Sequence, residues 1–124
     1  MRANYFLPGN SEFYSHSLKL WEGLEADLNY NVMHSQRGLI NLFHSDGQRD
    51  NARCILCDDA ILLDREGVRK YLPYLDFDNP RFPVYGGLLH PRGGTARHDA
   101  VAWGSARGAA MRGVDLIQQC AVTG

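Results

Sequence analysis

The sequence predicts an α+β domain built from an N-terminal amphipathic helix, a β-hairpin, a short helix and a C-terminal helix–strand unit. Apolar residues between positions 10 and 28 recur at helical spacing, and two β-rich runs flank Arg37–Gly38. Residues 90–124 then read as a glycine-rich turn, a helix and a closing strand, half of an α/β layer with a polar loop at one end. The length of 124 residues is enough for one domain with a modest core, so residues 1–124 are read as a single domain.

Each element has a local reason. Arg2 to Leu7 is extended and stops at Pro8–Gly9. Asn10 or Ser11 is expected to cap a helix to about Leu28, with Phe13, Ser17, Leu20, Leu24 and Leu28 on one stripe. Tyr14, Leu18 and Trp21 lie beside that stripe, and Glu22, Glu25 and Asp27 fall toward the polar side. Val32, His34 and Gln36 alternate with Asn31, Met33 and Ser35, and Leu39–His44 is strand-like. A hairpin turning at Gln36–Arg37–Gly38 is the natural pairing.

Ser45 to Asp59 is polar, with a short helix expected over Gln48–Ile55. Ala60–Leu63 reads as a short strand, and Asp64 as the cap of a helix over Arg65–Leu72 with Val68, Tyr71 and Leu72 inward. Pro73 ends it. Phe82–Leu89 reads as a strand interrupted at Gly86–Gly87. In the last unit Asp99 is the expected N-cap, and Ala100, Ala102, Ala106, Gly108, Ala109 and Ala110 let the helix backbone lie close to a sheet. Gly113 is the expected left-handed residue after it, followed by a strand from Val114 to Val122.

Composition narrows the function classes. A formal net charge of −1 gives no electrostatic case for nucleic acid or an anionic membrane. No apolar run approaches a membrane span, and MRANYFLPGNSEF lacks the apolar core of a secretory signal. Cys54, Cys57 and Cys120 are too few and too odd in number for a disulfide framework and fit a reducing cytoplasm. Cys54-x-x-Cys57 has no second ligand pair nearby, which favours unpaired thiols over zinc or redox use.

His98–Asp99 is the sharper feature. A histidine at a helix N-terminus meets the positive end of the helix dipole, which favours a neutral imidazole available as ligand or nucleophile. By contrast, no strand leads into a G-x-G-x-x-G turn; Gly86–Gly87 and Gly93–Gly94 do not supply that spacing.

Several stretches also carry a resemblance: ANYFLPGNSEFYSHSLKLWEGL, LNYNVMHSQRGLINL, LLDREGVRKYLPYLDFDN with RFPVYGG, and GGTARHDAVAWGSARGA with GVDLIQQCAVTG. In that order they resemble the β subunits of heterotetrameric sarcosine oxidases, within the D-amino-acid oxidase/glycine oxidase superfamily of FAD-dependent oxidoreductases. The resemblance spans nearly the whole chain but only a middle section of such a subunit. Around CILC the chain is several residues shorter than the family pattern.

The resemblance implies FAD and FMN in the family, with His98 at the position of the covalent FMN anchor and Arg97 near the FMN phosphate. It places Val122 where the superfamily contacts the FAD adenine, and Asn4 and Tyr5 in a run near FAD. It further implies an α-subunit partner and oxidative demethylation of sarcosine. With the dinucleotide fingerprint outside the matching section, this chain alone is not expected to be catalytic. The alternative is a self-associating interaction protein derived from the flavoenzyme, a homo-oligomer without flavin.

Overall fold

In the computed structural model, which describes residues 1–2, 7–54 and 59–124, seven elements follow one another. They are α1 (Pro8–Leu28), β1 (Leu39–Phe43), α2 (Asp46–Arg53), β2 (Ile61–Asp64), α3 (Arg65–Tyr71), β3 (Gly86–His90) and α4 (His98–Ala110). The α+β class is as expected. The strands form one antiparallel sheet in the order β1-β3-β2, so the last strand in sequence lies in the middle. Leu39 faces His90 and Phe43 faces Gly86 on one side of it, while Ile61 faces Leu89 and Asp64 faces Gly86 on the other.

Burial follows from that position. Every residue of β3 is buried, and Leu88 joins Phe43 and Ala52 in a cluster flanked by Ala60 and Leu62. Val68 of α3 is fully buried as well. Two helix starts are well specified locally. Asp64 Oδ1 accepts from the Gly67 amide at 2.7 Å, as the sequence predicts. Ser45 caps α2, its Oγ accepting from the Gln48 amide at 3.2 Å while Gln48 Oε1 takes the His44 amide at 2.7 Å.

The expected hairpin does not form. Residues 30–36 do not pair with β1; Ser35 instead bridges Thr95, so residues 35–43 run antiparallel to one downstream stretch, 86–95. Ser35 and Thr95 exchange amide bonds of 2.8 and 3.0 Å, and the Gly38 amide donates to Gly93 at 2.9 Å. Upstream, Met33 has φ 55° and its amide donates to Asn31 Oδ1 at 2.7 Å. That side-chain turn breaks the alternation the sequence suggested.

Other expectations shift. α1 starts at Pro8, with Leu7 as an N-cap whose side chain makes no capping bond. Its fully buried residue is Leu18; Ser17, Leu24 and Leu28 of the expected stripe are half-buried, as are Tyr14 and Trp21 beside it, whereas Phe13 and Leu20 are 69% and 61% exposed. Tyr71, expected inside, is exposed. The strand around Gly86–Gly87 is continuous through both glycines but does not reach back to Phe82. β2 begins at Ile61 rather than Ala60.

α4 begins at His98 with Arg97, not Asp99, as its N-cap. Its small residues face α1 rather than a sheet: a Cβ on Gly104 would come within 2.8 Å of Tyr30 Cδ1, and one on Gly108 within 2.9 Å of Leu28 Cδ2. Arg107 Nη1 donates to the Leu28 and Asn29 carbonyls at 3.3 Å each, a cation at the C-terminus of α1. Gly113 has the expected positive φ of 84°. The strand expected from Val114 to Val122 is absent; residues 111–124 are exposed and irregular.

Candidate functional site

The loop between β3 and α4 is held from two directions. Its Arg92 forms an ion pair with Glu22 of α1, Nη2 to Oε1 2.8 Å, and Gln36 Nε2 donates to the same oxygen at 2.9 Å. Gln36 also donates to the Arg92 carbonyl at 3.2 Å. Those bonds, Gln36 first and Arg92 second, hold the Glu22 carboxyl below its ordinary pKa of 4.5. One turn further along α1, Glu25 Oε1 accepts from the His34 amide at 3.2 Å. The loop, the 34–38 segment and one face of α1 are thereby fixed against each other. From that frame the chain enters α4, with the Arg97 amide donating to the Val32 carbonyl at 3.3 Å.

His98, the first residue of α4, is exposed. With Met1, Trp21, Thr95, Ala96 and Val101 it lines an open groove of about 390 Å³. A second hollow of about 320 Å³, lined by Arg2, Tyr14, Ser17, Leu18 and Leu39, shares Met1 and Trp21 with the first. Trp21 is half-buried between them, its ring centroid 6.1 Å from that of His34.

Arg97, next to His98 in sequence, does not line the groove and is engaged: Nε donates to Asp99 Oδ1 at 2.9 Å and Oδ2 at 3.1 Å. The Arg97 bond is the main reason the Asp99 carboxyl titrates below its ordinary 3.8. Asp99 Oδ1 also accepts from the Ala100 amide at 2.9 Å, so a carboxylate already occupies the first turn of α4.

The sequence-derived candidates therefore separate. His98 and Arg97 are adjacent at one end of α4, whereas Val122 is 94% exposed in the irregular tail. Asn4 and Tyr5, like Cys57, lie outside the described residues. Trp21 and the Glu22–Arg92 pair were not singled out by sequence reasoning. Seventy positions separate the two charges, and no local pattern announces such a contact. The same holds for His90, fully buried in β3, whose Nε2 lies 3.2 Å from Asp59 Oδ1.

A flavin can be tested against these residues. The groove has the size of a small-molecule site, with an accessible imidazole and a half-buried indole among its lining residues, and these two side chains suit a flat aromatic group such as a flavin. Gly86–Gly87 is sealed inside β3, and a Cβ on Gly94 would come within 2.5 Å of the Ser35 carbonyl oxygen. Neither glycine pair opens a helix toward a pyrophosphate. Among the described residues, no group of three or more His, Cys, Asp or Glu is placed to hold a metal ion. No helix among them is long and apolar enough to cross a membrane.

Comparison with known proteins bears on the family and the fold. Over its whole length the chain is 65% identical to the sarcosine oxidase subunit beta of Rhizobium meliloti (strain 1021) and 42% identical to that of Rhodobacter capsulatus. It spans 31% of the length of each. Among solved structures, L-proline dehydrogenase from P. horikoshii superposes with a TM-score of 0.82 at 18% identity, covering 94% of this chain and 31% of that one. At that identity the likeness speaks for the fold alone. The family described as DAO, FAD dependent oxidoreductase, matches residues 2–124, and the chain belongs to that family.

Proposed function

We propose that the chain is a cofactor-bearing section of a sarcosine oxidase β-subunit-like flavoenzyme, with His98 as the covalent anchor of FMN. The observation that carries the reading is His98 itself: an exposed imidazole at the start of α4, lining a groove between α4 and α1. Similarity to sarcosine oxidase β subunits along the whole chain supports it. When bound, FMN supplies a ring able to accept and pass on electrons.

This chain's own residues bind and orient. His98 would hold the FMN through its exposed imidazole at the start of α4. Arg97 would hold the phosphate, while its Nε is bonded to Asp99. Val122, Asn4 and Tyr5 are the positions proposed to meet FAD when the remainder of such an enzyme is present. The α subunit of a sarcosine oxidase is the proposed partner and the cytoplasm the proposed compartment. Oxidation of sarcosine belongs to the assembled enzyme; this chain alone contributes placement of the cofactor.

A second reading has its own support. Phe13, Leu20, Trp103, Met111 and Ile117 are all more than 60% exposed, an apolar set that suits a self-associating protein without flavin. The test is the visible spectrum of the purified chain after denaturation, alone and after refolding with FMN and FAD. Flavin absorbance that stays with the polypeptide and disappears in His98→Ala supports the anchor. A colourless chain under every condition rejects it and leaves self-association, read from mass against concentration, as the better account.

A further inference from the structure

We propose that Trp21 is the residue on which the flavin ring stacks, making the His98 groove a two-sided clamp of imidazole and indole. This rests on the flavin reading above and names the residue of α1 that completes the site.

Trp21 reaches the groove from the opposite element. His98 and Val101 come from α4, Thr95 and Ala96 from the loop before it, and Trp21 from α1. Apart from the histidine, Trp21 is the aromatic among those lining residues, and it lines the second hollow as well. A flat, electron-poor ring tethered at His98 has one broad apolar surface within this groove to lie against, and an electron-rich indole is the complementary partner.

The indole is also held ready. Leu18, one turn earlier, is 2% exposed and anchors α1 in the core. Glu22, the next residue, is fixed by Arg92 and Gln36, and Glu25, one turn later, by the His34 amide. The His34 ring backs the indole at 6.1 Å. A ring on a helix face fixed on both sides of it in sequence, with the His34 ring beside it, loses little freedom on binding, the condition under which stacking contributes to affinity.

The test reads flavin emission from the full chain. An indole in contact with a flavin ring quenches that emission by electron donation, which a phenyl ring does not do. In the chain carrying FMN, Trp21→Phe should raise flavin emission several-fold, while Trp103→Phe, on the exposed face of α4, should leave it unchanged. In His98→Ala, where FMN can bind only reversibly, adding Trp21→Ala should weaken FMN binding by about two- to tenfold. Should Trp21→Ala fail to fold by circular dichroism, the conservative Trp21→Phe measurement decides alone. FMN attached at His98 with emission indifferent to Trp21 overturns the clamp and leaves the anchor standing. FMN neither retained nor bound by the full chain overturns both.

Discussion

Residues 86–94 and residues 111–124 lie at opposite extremes of the same molecule. The first stretch is β3 and the turn after it: β3 has a strand on each side and no exposed residue, and Gly93 and Gly94 lie beneath residues 35–39. The second is exposed at every position and has no regular structure, although Val114, Leu116, Ile117 and Val122 give it strand-like chemistry. Apolar alternation is thus insufficient for a strand. A ladder needs neighbours for its amides and carbonyls, and β3 has two while the tail has none among the described residues. The candidate site is placed where the first condition holds, at the exit of the best-supported strand.

The strongest way to sharpen that contrast is a cavity in β3. Leu88 is 3% exposed and packs with Phe43 and Ala52. Leu88→Ala should cost about 2–5 kcal/mol, from lost burial plus an imperfectly closed cavity, read from urea unfolding midpoints. A loss below 1 kcal/mol would mean the sheet centre is not the core of this domain.

Local chemistry made part of this architecture readable in advance. Asp64 before α3, Gly113 after α4 and the long α1 depend on caps, φ preferences and helical spacing, which act over a few residues. The start of α4 near His98 was readable in the same way, whereas the roles of His98 and Arg97 rest on the resemblance alone. The pairing of 35–43 with 86–95 was not, because the SQRG step looks like a hairpin turn and only a distant segment gives it a different role. The inward face of α1 departs from the expected stripe at Phe13 and Leu20 for a related reason. Phe13 and Leu20 are as apolar as Leu18, and what lies across from each decides which is buried. Trp21 became a candidate only once α4 was placed beside α1.

An intermediate effect is expected where the buried stretch joins α1. The Glu22 carboxyl titrates below 4.5 in the folded chain because Gln36 and Arg92 bond its charged form. A carboxyl with a lowered folded pKa adds stability that is complete above its unfolded value and is lost as pH falls through the folded one. The carboxylate is partly exposed, so solvent screens the pair and the contribution is about 0.2–1 kcal/mol. Urea midpoints should therefore fall from pH 5 toward pH 3 more steeply in the parent chain than in Glu22→Gln. Equal slopes would remove Glu22 as the tie between loop and helix. A matching loss of that pH dependence in Arg92→Ala would instead strengthen it, since Arg92 is the partner of Glu22 in the loop.

The smallest effect should come from the tail. Ile117 is 77% exposed, so Ile117→Ser removes little area that folding had taken from water and should change stability by no more than about 0.5 kcal/mol. The informative measurement pairs that midpoint with the dependence of mass on protein concentration. If Ile117→Ser leaves stability unchanged but shifts a dimer toward monomer, the tail's apolar residues act between chains, and its strand-like sequence has found a partner outside the fold. If both are unchanged, the contrast with β3 is intrinsic: without a neighbouring strand, an alternating apolar sequence contributes nothing to either folding or association. A loss of 2 kcal/mol or more would instead show that residues 114–124 pack on the domain in solution, and the comparison between buried strand and free tail would fail.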